Sequence, residues 1–224
     1  MHEHTLKAFD ADIAGMREAV VQMGSLANQQ FQRAIEAVRT ADLGVAAQVL
    51  ADERIVNALQ VRLDGLCNRI IALRQPIAVD LREVIGAIHT VNDLERIGDE
   101  AKKIALKART IDPESFQDLL PRVADMARQA GDMLTRAIDA FVRRDSGAAV
   151  ELGACDDTVD DLRDELVDVL VARMAAQPHR VEQSLGLVLV VQSIERVADH
   201  AECIAEYVVN VVEGVDMRHG RLPA

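Results

Sequence analysis

Residues 93–105 read DLERIGDEAKKIA, and residues 193–205 read SIERVADHAECIA. In both stretches a Glu is followed four places later by an Asp. The pairs are Glu95 with Asp99 and Glu195 with Asp199, spaced 100 residues apart along the chain. Residues four apart share a helix face, where like charges cost roughly 0.2–0.5 kcal/mol per pair. A chain that accepts this cost twice at equivalent positions has a use for it, and cation binding is the chemistry that suits it. The segment before each motif carries a counterpart. In the first half it is Glu53 with Asn57, with Asp64 on the same face; in the second half it is Asp156 with Asp160. Glu53 lies 23 residues ahead of Pro76, and Asp156 lies 22 ahead of Pro178. Glu202 and Glu206 continue the line of Glu195 and Asp199. If these segments are antiparallel neighbours, the acids face one another across a groove. Oxygen-only donors suit hard cations such as Mg²⁺, Ca²⁺, Mn²⁺ or ferric iron, and bridging carboxylates can hold more than one ion.

A single acidic pair on a long helix usually faces water, so position on the helix matters. At about 100° per residue, Asp99 lies ~40° from Glu95. Leu81, Val84 and Ile88 fall in the same sector about two to four turns earlier, and Leu94, Ala101, Ile104 and Ala105 fill the adjoining one. Val181 and Val188 repeat the arrangement ahead of Glu195 and Asp199. The acids therefore border the core seam. Arg96 and Arg196 lie ~100° further round; they are expected to form ion pairs that orient a neighbouring helix, or else to hold phosphate or a partner's carboxylate. His2, His4, His89, His179, His200 and His219 read as surface residues, with His200 pointing away from the face of Asp199.

These residues must be carried by long helices. The chain is 50% hydrophobic but only 2% aromatic, with 5 Pro and 12 Gly in 224 residues, a composition of helices rather than of strands and turns. Helix start and stop signals mark six segments. They cover residues 5–40, 42–75 (opened by Asp42), 79–109, 112–144 (opened by Asp112-Pro113), a fifth that stops before Pro178, and 180–213 (closed by Gly214). Asp145-Ser146-Gly147 reads as a turn, and the tail from Met217 as frayed. Short connections between long helices imply antiparallel neighbours. The chain therefore reads as all-α, with two tandem, pseudo-symmetric antiparallel three-helix bundles at residues 1–110 and 111–216 and a tail at 217–224. Two separate lobes are expected in preference to one continuous six-helix bundle.

Bulk properties narrow the partners. A net charge of −12 with almost no aromatics offers neither a basic face nor a stacking platform, which argues against direct nucleic-acid binding and against anionic lipid. Cys67, Cys155 and Cys203 are far apart and form no CxxC, as expected of reduced thiols in a cytoplasmic protein. The N-terminus lacks the pattern of a signal peptide. The longest apolar stretch, near 185–191, is too short to span a bilayer. Long exposed helix faces favour a homodimer.

At these motifs the chain resembles the PhoU family, the accessory regulators of phosphate-specific transport. RIIALRQP (69–76), DLERIGDEA (93–101), SIERVADHAECIAEYV (193–208) and VEGVDMRH (212–219) carry the resemblance, which extends over essentially the whole chain. It implies two repeated three-helix bundles and multinuclear metal clusters on the bundle surface, with iron prominent and zinc, manganese or magnesium as alternatives. The family's metal pattern falls on Glu95 and Asp99, on Glu195 and Asp199, on Asp156 and Asp160, and on Glu53 and Asn57. Asn57 departs from the acidic pattern and leaves the first site one charge short. The resemblance also implies a non-enzymatic repressor of the phosphate-starvation response. It would link the ATPase subunit of the phosphate ABC transporter to a membrane sensor histidine kinase, and touch the membrane only through these proteins.

A carboxylate-bridged metalloprotein of enzymatic or storage type is the alternative. Di-iron bundles use Glu-x-x-His motifs, but Glu95 is followed at that spacing by Gly98 and Glu195 by Ala198.

Overall fold

The computed structural model describes residues 2–215, with side chains from residue 7 onward. The expected tail at 217–224, His219 and the side chains of His2 and His4 lie outside the described residues. Seven α-helices follow in chain order: α1 His2–Thr40, α2 Leu43–Arg74, α3 Ala78–Lys107, α4 Leu120–Arg143, α5 Ser146–Val150, α6 Gly153–Ala176 and α7 Val181–Glu213. No strand occurs among the described residues. Nor is any described helix long and apolar enough to cross a membrane.

Local chemistry sets the ends. Asp42 caps α2 by accepting from the amides of Gly44 (2.7 Å) and Val45 (3.1 Å). The helix stops at Gln75, which takes a left-handed conformation just before Pro76. Gly214, at φ 74°, closes α7 in the same conformation, which glycine adopts without strain. Two connections differ from expectation. Asp112-Pro113 opens a single 3₁₀ turn, Pro113–Phe116, and α4 begins only at Leu120 with Pro121 in its first turn. The ring of Phe116 is fully buried there, with the Arg173 guanidinium 5.6 Å above it. The stretch 145–147 is not a turn. Asp145 accepts from the amide of Ala148 at 3.0 Å and so nucleates α5, while buried Ala149 and Leu152 hold that short helix down.

α1, α2 and α3 form one bundle, and α4, α6 and α7 the other, with α5 against α4 and α7. The two do not stand apart as separate lobes. α1 packs on α4 and α3 on α7, and the buried side chains make one continuous cluster running from Met16, Met23 and Phe31 to Leu134, Leu152 and Ile194. Glycines allow the close approach. A Cβ on Gly24 would fall 2.0 Å from Ile138 Cδ1, and one on Gly86 2.8 Å from Val211 Cγ2. α2 and α6 lie outside this slab. α6 buries only Val159, Leu166 and Leu170.

α3 and α7 run antiparallel. Gly86 meets Val211, His89 stacks on Tyr207 with ring centroids 5.0 Å apart, Asp93 meets His200, and Glu100 meets Arg196. This pairing sets the two acidic motifs on neighbouring stretches, midway along α3 and α7.

One buried charge ties the halves together. Glu83 of α3 is 1% exposed and accepts from Arg17 of α1 and from Arg144, the left-handed residue that ends α4. Burial, and then the nearby Arg17, lower the pKa of Arg144. Removing one member of a buried ion group strands the others. Glu83→Ala is therefore expected to cost about 3 kcal/mol in chemical denaturation; a loss within error of zero would contradict this role.

Candidate metal centre

The predicted residues fall into two sets. In the first, α2 supplies Glu53 and Asn57, and α3 supplies Glu95 and Asp99. In the second, α6 supplies Asp156 and Asp160, and α7 supplies Glu195, Asp199 and Glu202. Packing explains the placement: the opposite faces of α3 and α7 bury Leu94, Ile97, Ala101, Ile104, Ile194, Val197, Ala201 and Ile204, all fully. A core this regular fixes the rotation of each helix, so the acids cannot turn out to open water together.

The second set is strongly charged. Asp156 is pushed up to about 7 from an ordinary carboxylate value, by burial first and then by Glu202, Asp199, Asp160 and Glu195. Glu195, Asp199 and Glu202 are also raised. In each case burial is the main cause; Asp199 adds to it for Glu195 and Glu202, and Asp160 for Asp199. The carboxylate of Glu202 rests over the first turn of α6, where a Cβ on Gly153 would come within 3.2 Å of its Oε1. Two arginines serve this set from its edge, Arg163 by direct approach and Arg196 by its nearby charge on Glu195 and Asp199. Arg163 lies 3.2 Å from Asp160, 3.3 Å from Asp164 and 3.9 Å from Glu195. Glu206 sits one turn past Glu202 and, together with Asp93, helps raise the pKa of Cys203; burial is the main cause, and the thiol is pushed up to about 12. Cys67, fully buried, is pushed up to about 11. Both are unreactive as thiolates at neutral pH.

The first set is built differently. Lys102 donates to Glu53 Oε1 at 2.6 Å, and its pKa is raised by Glu53 and, more weakly, by Asp99 and Glu95. Glu95 is raised by burial, then by Asp99. Asn57 is exposed. Gln60 of α2 bonds Asn92 of α3 at 3.2 Å, at the position where the second half has Arg163.

The two arginines part company. Arg196 reaches across to Glu100 of α3 at 3.6 Å, an inter-helix pair. Arg96 instead lies near acids of its own helix, 3.8 Å from Glu95 and 4.0 Å from Asp99, and is exposed. His200 is not a simple surface residue: its Nδ1 lies 2.9 Å from Asp93 across the α3–α7 seam. Sequence reading passed over Lys102, Arg163, Asp93 and Glu100. Lys102 was within reach, because it stands at the same 100-residue offset from Glu202 as Glu95 from Glu195. The other three depend on tertiary neighbours.

Among the described residues, no group of three or more His, Cys, Asp or Glu side chains is gathered tightly enough to hold an ion as the side chains stand. Mutual repulsion raises the cost of bringing uncompensated carboxylates together. The donor chemistry of the second set fits such an ion: five carboxylates and no facing ammonium. A groove of about 470 Å³ lies between α1 and α4, lined by residues such as Val21, Asn28, Leu134 and Ile138; none of the acids named here lines it.

The PhoU domain profile matches residues 20–108 and 123–208. The chain is 36% identical over 220 residues to the phosphate-specific transport system accessory protein PhoU homolog of Pseudomonas aeruginosa, covering 96% of this chain and 90% of that one. It is 34% identical over 219 residues to the phosphate-specific transport system accessory protein PhoU of Escherichia coli, covering 98% and 91%. The crystal structure of PhoU from Pseudomonas aeruginosa superimposes with a TM-score of 0.85 at 34% identity, covering 92% of this chain and all of that one. The phosphate transport system regulatory protein PhoU from Streptococcus pneumoniae has the same fold, with a TM-score of 0.87 at 22% identity over 93% of this chain and 99% of that one.

The charge pattern fixes a pH dependence. Asp156 has a folded pKa of about 7 against 3.8 for the ordinary group, so the folded state binds more protons between those values. Stability of metal-stripped protein should therefore rise as pH falls from about 8 to about 5. Thermal melts across this range are expected to show a midpoint higher at the acid end, and Asp156→Asn should remove most of the slope. A flat or opposite slope in the parent protein would contradict the assignment.

Proposed function

This chain belongs to the PhoU family, and from that premise we propose that it is a regulatory adaptor of phosphate uptake. The observation that carries the proposal is the match of both repeats, along nearly the whole chain, to proteins named as accessory to phosphate-specific transport. In this role the protein works in the cytoplasm without catalysing a reaction. It holds the phosphate-starvation response down when phosphate is plentiful, by joining the ATPase subunit of a phosphate ABC transporter to a membrane sensor histidine kinase. Long helix faces suit docking of this kind, and they suit a homodimer as well.

The acidic groove between α6 and α7 adds the inorganic part of the proposal. Asp156, Asp160, Glu195, Asp199 and Glu202 would hold metal, with Glu206 at the edge of the set. Iron is the first choice; zinc, manganese and magnesium are the alternatives. The bound cations would supply the positive charge that lets these carboxylates ionise together at neutral pH. The support is electrostatic: burial and crowding raise four of the five groups, and an ion reverses that penalty.

Two measurements test this. Affinity capture from phosphate-replete cells is expected to recover the transporter ATPase subunit and the sensor kinase, and deletion of the chain to derepress phosphate-starvation genes; capture of neither, with unchanged gene expression, would refute the adaptor role. Glu195→Ala with Asp199→Ala is expected to lower bound metal sharply in elemental analysis while circular dichroism keeps its helical signal. Unchanged metal content would refute the assignment of the site.

A further inference from the structure

The two repeats place different chemistry at one position. Lys102 in α3 and Glu202 in α7 stand 100 residues apart, the same offset that relates Glu95 to Glu195 and Asp99 to Asp199. Asn57 likewise stands where the second repeat has Asp160. The first set thus carries three carboxylates, Glu53, Glu95 and Asp99, where the second carries five. The Lys102 ammonium lies against the first of those three. It donates to Glu53 Oε1 at 2.6 Å, with its stem half-buried along the groove, and feels the charge of Asp99 and Glu95 as well. In the second set Glu202 stands in place of the lysine and adds its negative charge beside Asp156, while Arg163 lies 3.2 Å from Asp160 and 3.9 Å from Glu195 and, with Arg196, also feels Asp199.

We propose that Lys102 is a built-in substitute for a metal ion in the first acid set, so that this chain takes up metal in its second half only. An ammonium fixed by its own backbone needs no free ion, and its bond to Glu53 supplies the positive charge that coordination would. A divalent ion entering the first set would have to displace it and would then find three carboxylates and an amide. Hard cations are poorly held by so few anionic oxygens. The inference rests on the proposed metal binding of the second set, and it assigns the two halves different duties: a permanent, metal-independent lock between α2 and α3, and a metal-dependent one between α6 and α7.

The test uses the full chain, stripped of metal and re-equilibrated with excess Mn²⁺, with Mn²⁺ per chain read by elemental analysis and thermal midpoints read with and without chelator. Glu95→Ala with Asp99→Ala should leave bound Mn²⁺ at the parent value. Asn57→Asp with Lys102→Glu, which rebuilds the first set in the pattern of the second, should about double it. Lys102→Met should lower the midpoint in chelator, and added Mn²⁺ should leave it below the parent midpoint at the same Mn²⁺, because three carboxylates and an amide hold the ion poorly. The proposal is overturned if Glu95→Ala with Asp99→Ala removes as much Mn²⁺ as the matching change in the second set. It is equally overturned if the rebuilt set gains no ion while the parent binds Mn²⁺, or if Lys102→Met melts in chelator like the parent. Should the parent bind no Mn²⁺ in either half while Lys102→Met still melts below the parent in chelator, the metal role of the second set fails and the lock by Lys102 stands.

Discussion

The carboxylates of Asp156, Asp160, Glu195, Asp199 and Glu202 repel one another across the groove between α6 and α7, and the helices that carry them are not free to part. Beneath the acids, Val159, Leu166, Ile194, Val197 and Ala201 are fully buried. Each buried aliphatic side chain contributes on the order of 1.5–3 kcal/mol. Repulsion among partly solvated charges is smaller than the sum of such contributions, so the fold tolerates the crowding and the cost appears as raised pKa values. The protein can then lower its free energy by taking a proton or a cation.

The same logic organises the boundary between the repeats. Where a carboxylate is buried between halves it has a partner: Arg17 and Arg144 for Glu83, the His200 ring for Asp93, Lys103 and Arg196 for Glu100. These pairs lie along α3, which touches both bundles; they set its register against α1 and α7 and tie it to the end of α4. The outer grooves obey a different rule. There the first half sets a lysine on three carboxylates, and the second sets two arginines at the edge of five. Partnered carboxylates at the seam keep the two bundles in one body, and the excess of carboxylates at one edge is left for chemistry.

Much of this was legible in the sequence for a specific reason. Helical periodicity is fixed by backbone geometry, so a Glu and an Asp four apart must share a face, and a repeat of 100 residues must place two such faces on equivalent helices. Caps are equally local, and Asp42, Gln75 before Pro76 and Gly214 marked their ends correctly. What escaped the sequence is tertiary. The packing of α1 on α4, which merges two expected lobes into one core, depends on Gly24 lying against Ile138. The pairing of His200 with Asp93 depends on the antiparallel register of α3 and α7. α5 depends on Asp145 capping a helix that Ala149 and Leu152 anchor. Lys102 is an intermediate case: its offset is visible in the chain, but its approach to Glu53 is visible only in space.

The most direct measurement is anomalous diffraction from crystals of protein purified without chelator and grown with iron and manganese present. Strong anomalous peaks among Asp156, Asp160, Glu195, Asp199 and Glu202, with none among Glu53, Glu95 and Asp99, are the expected result. Ordered water alone between the second set of carboxylates, at full occupancy and with no anomalous signal, would contradict the account.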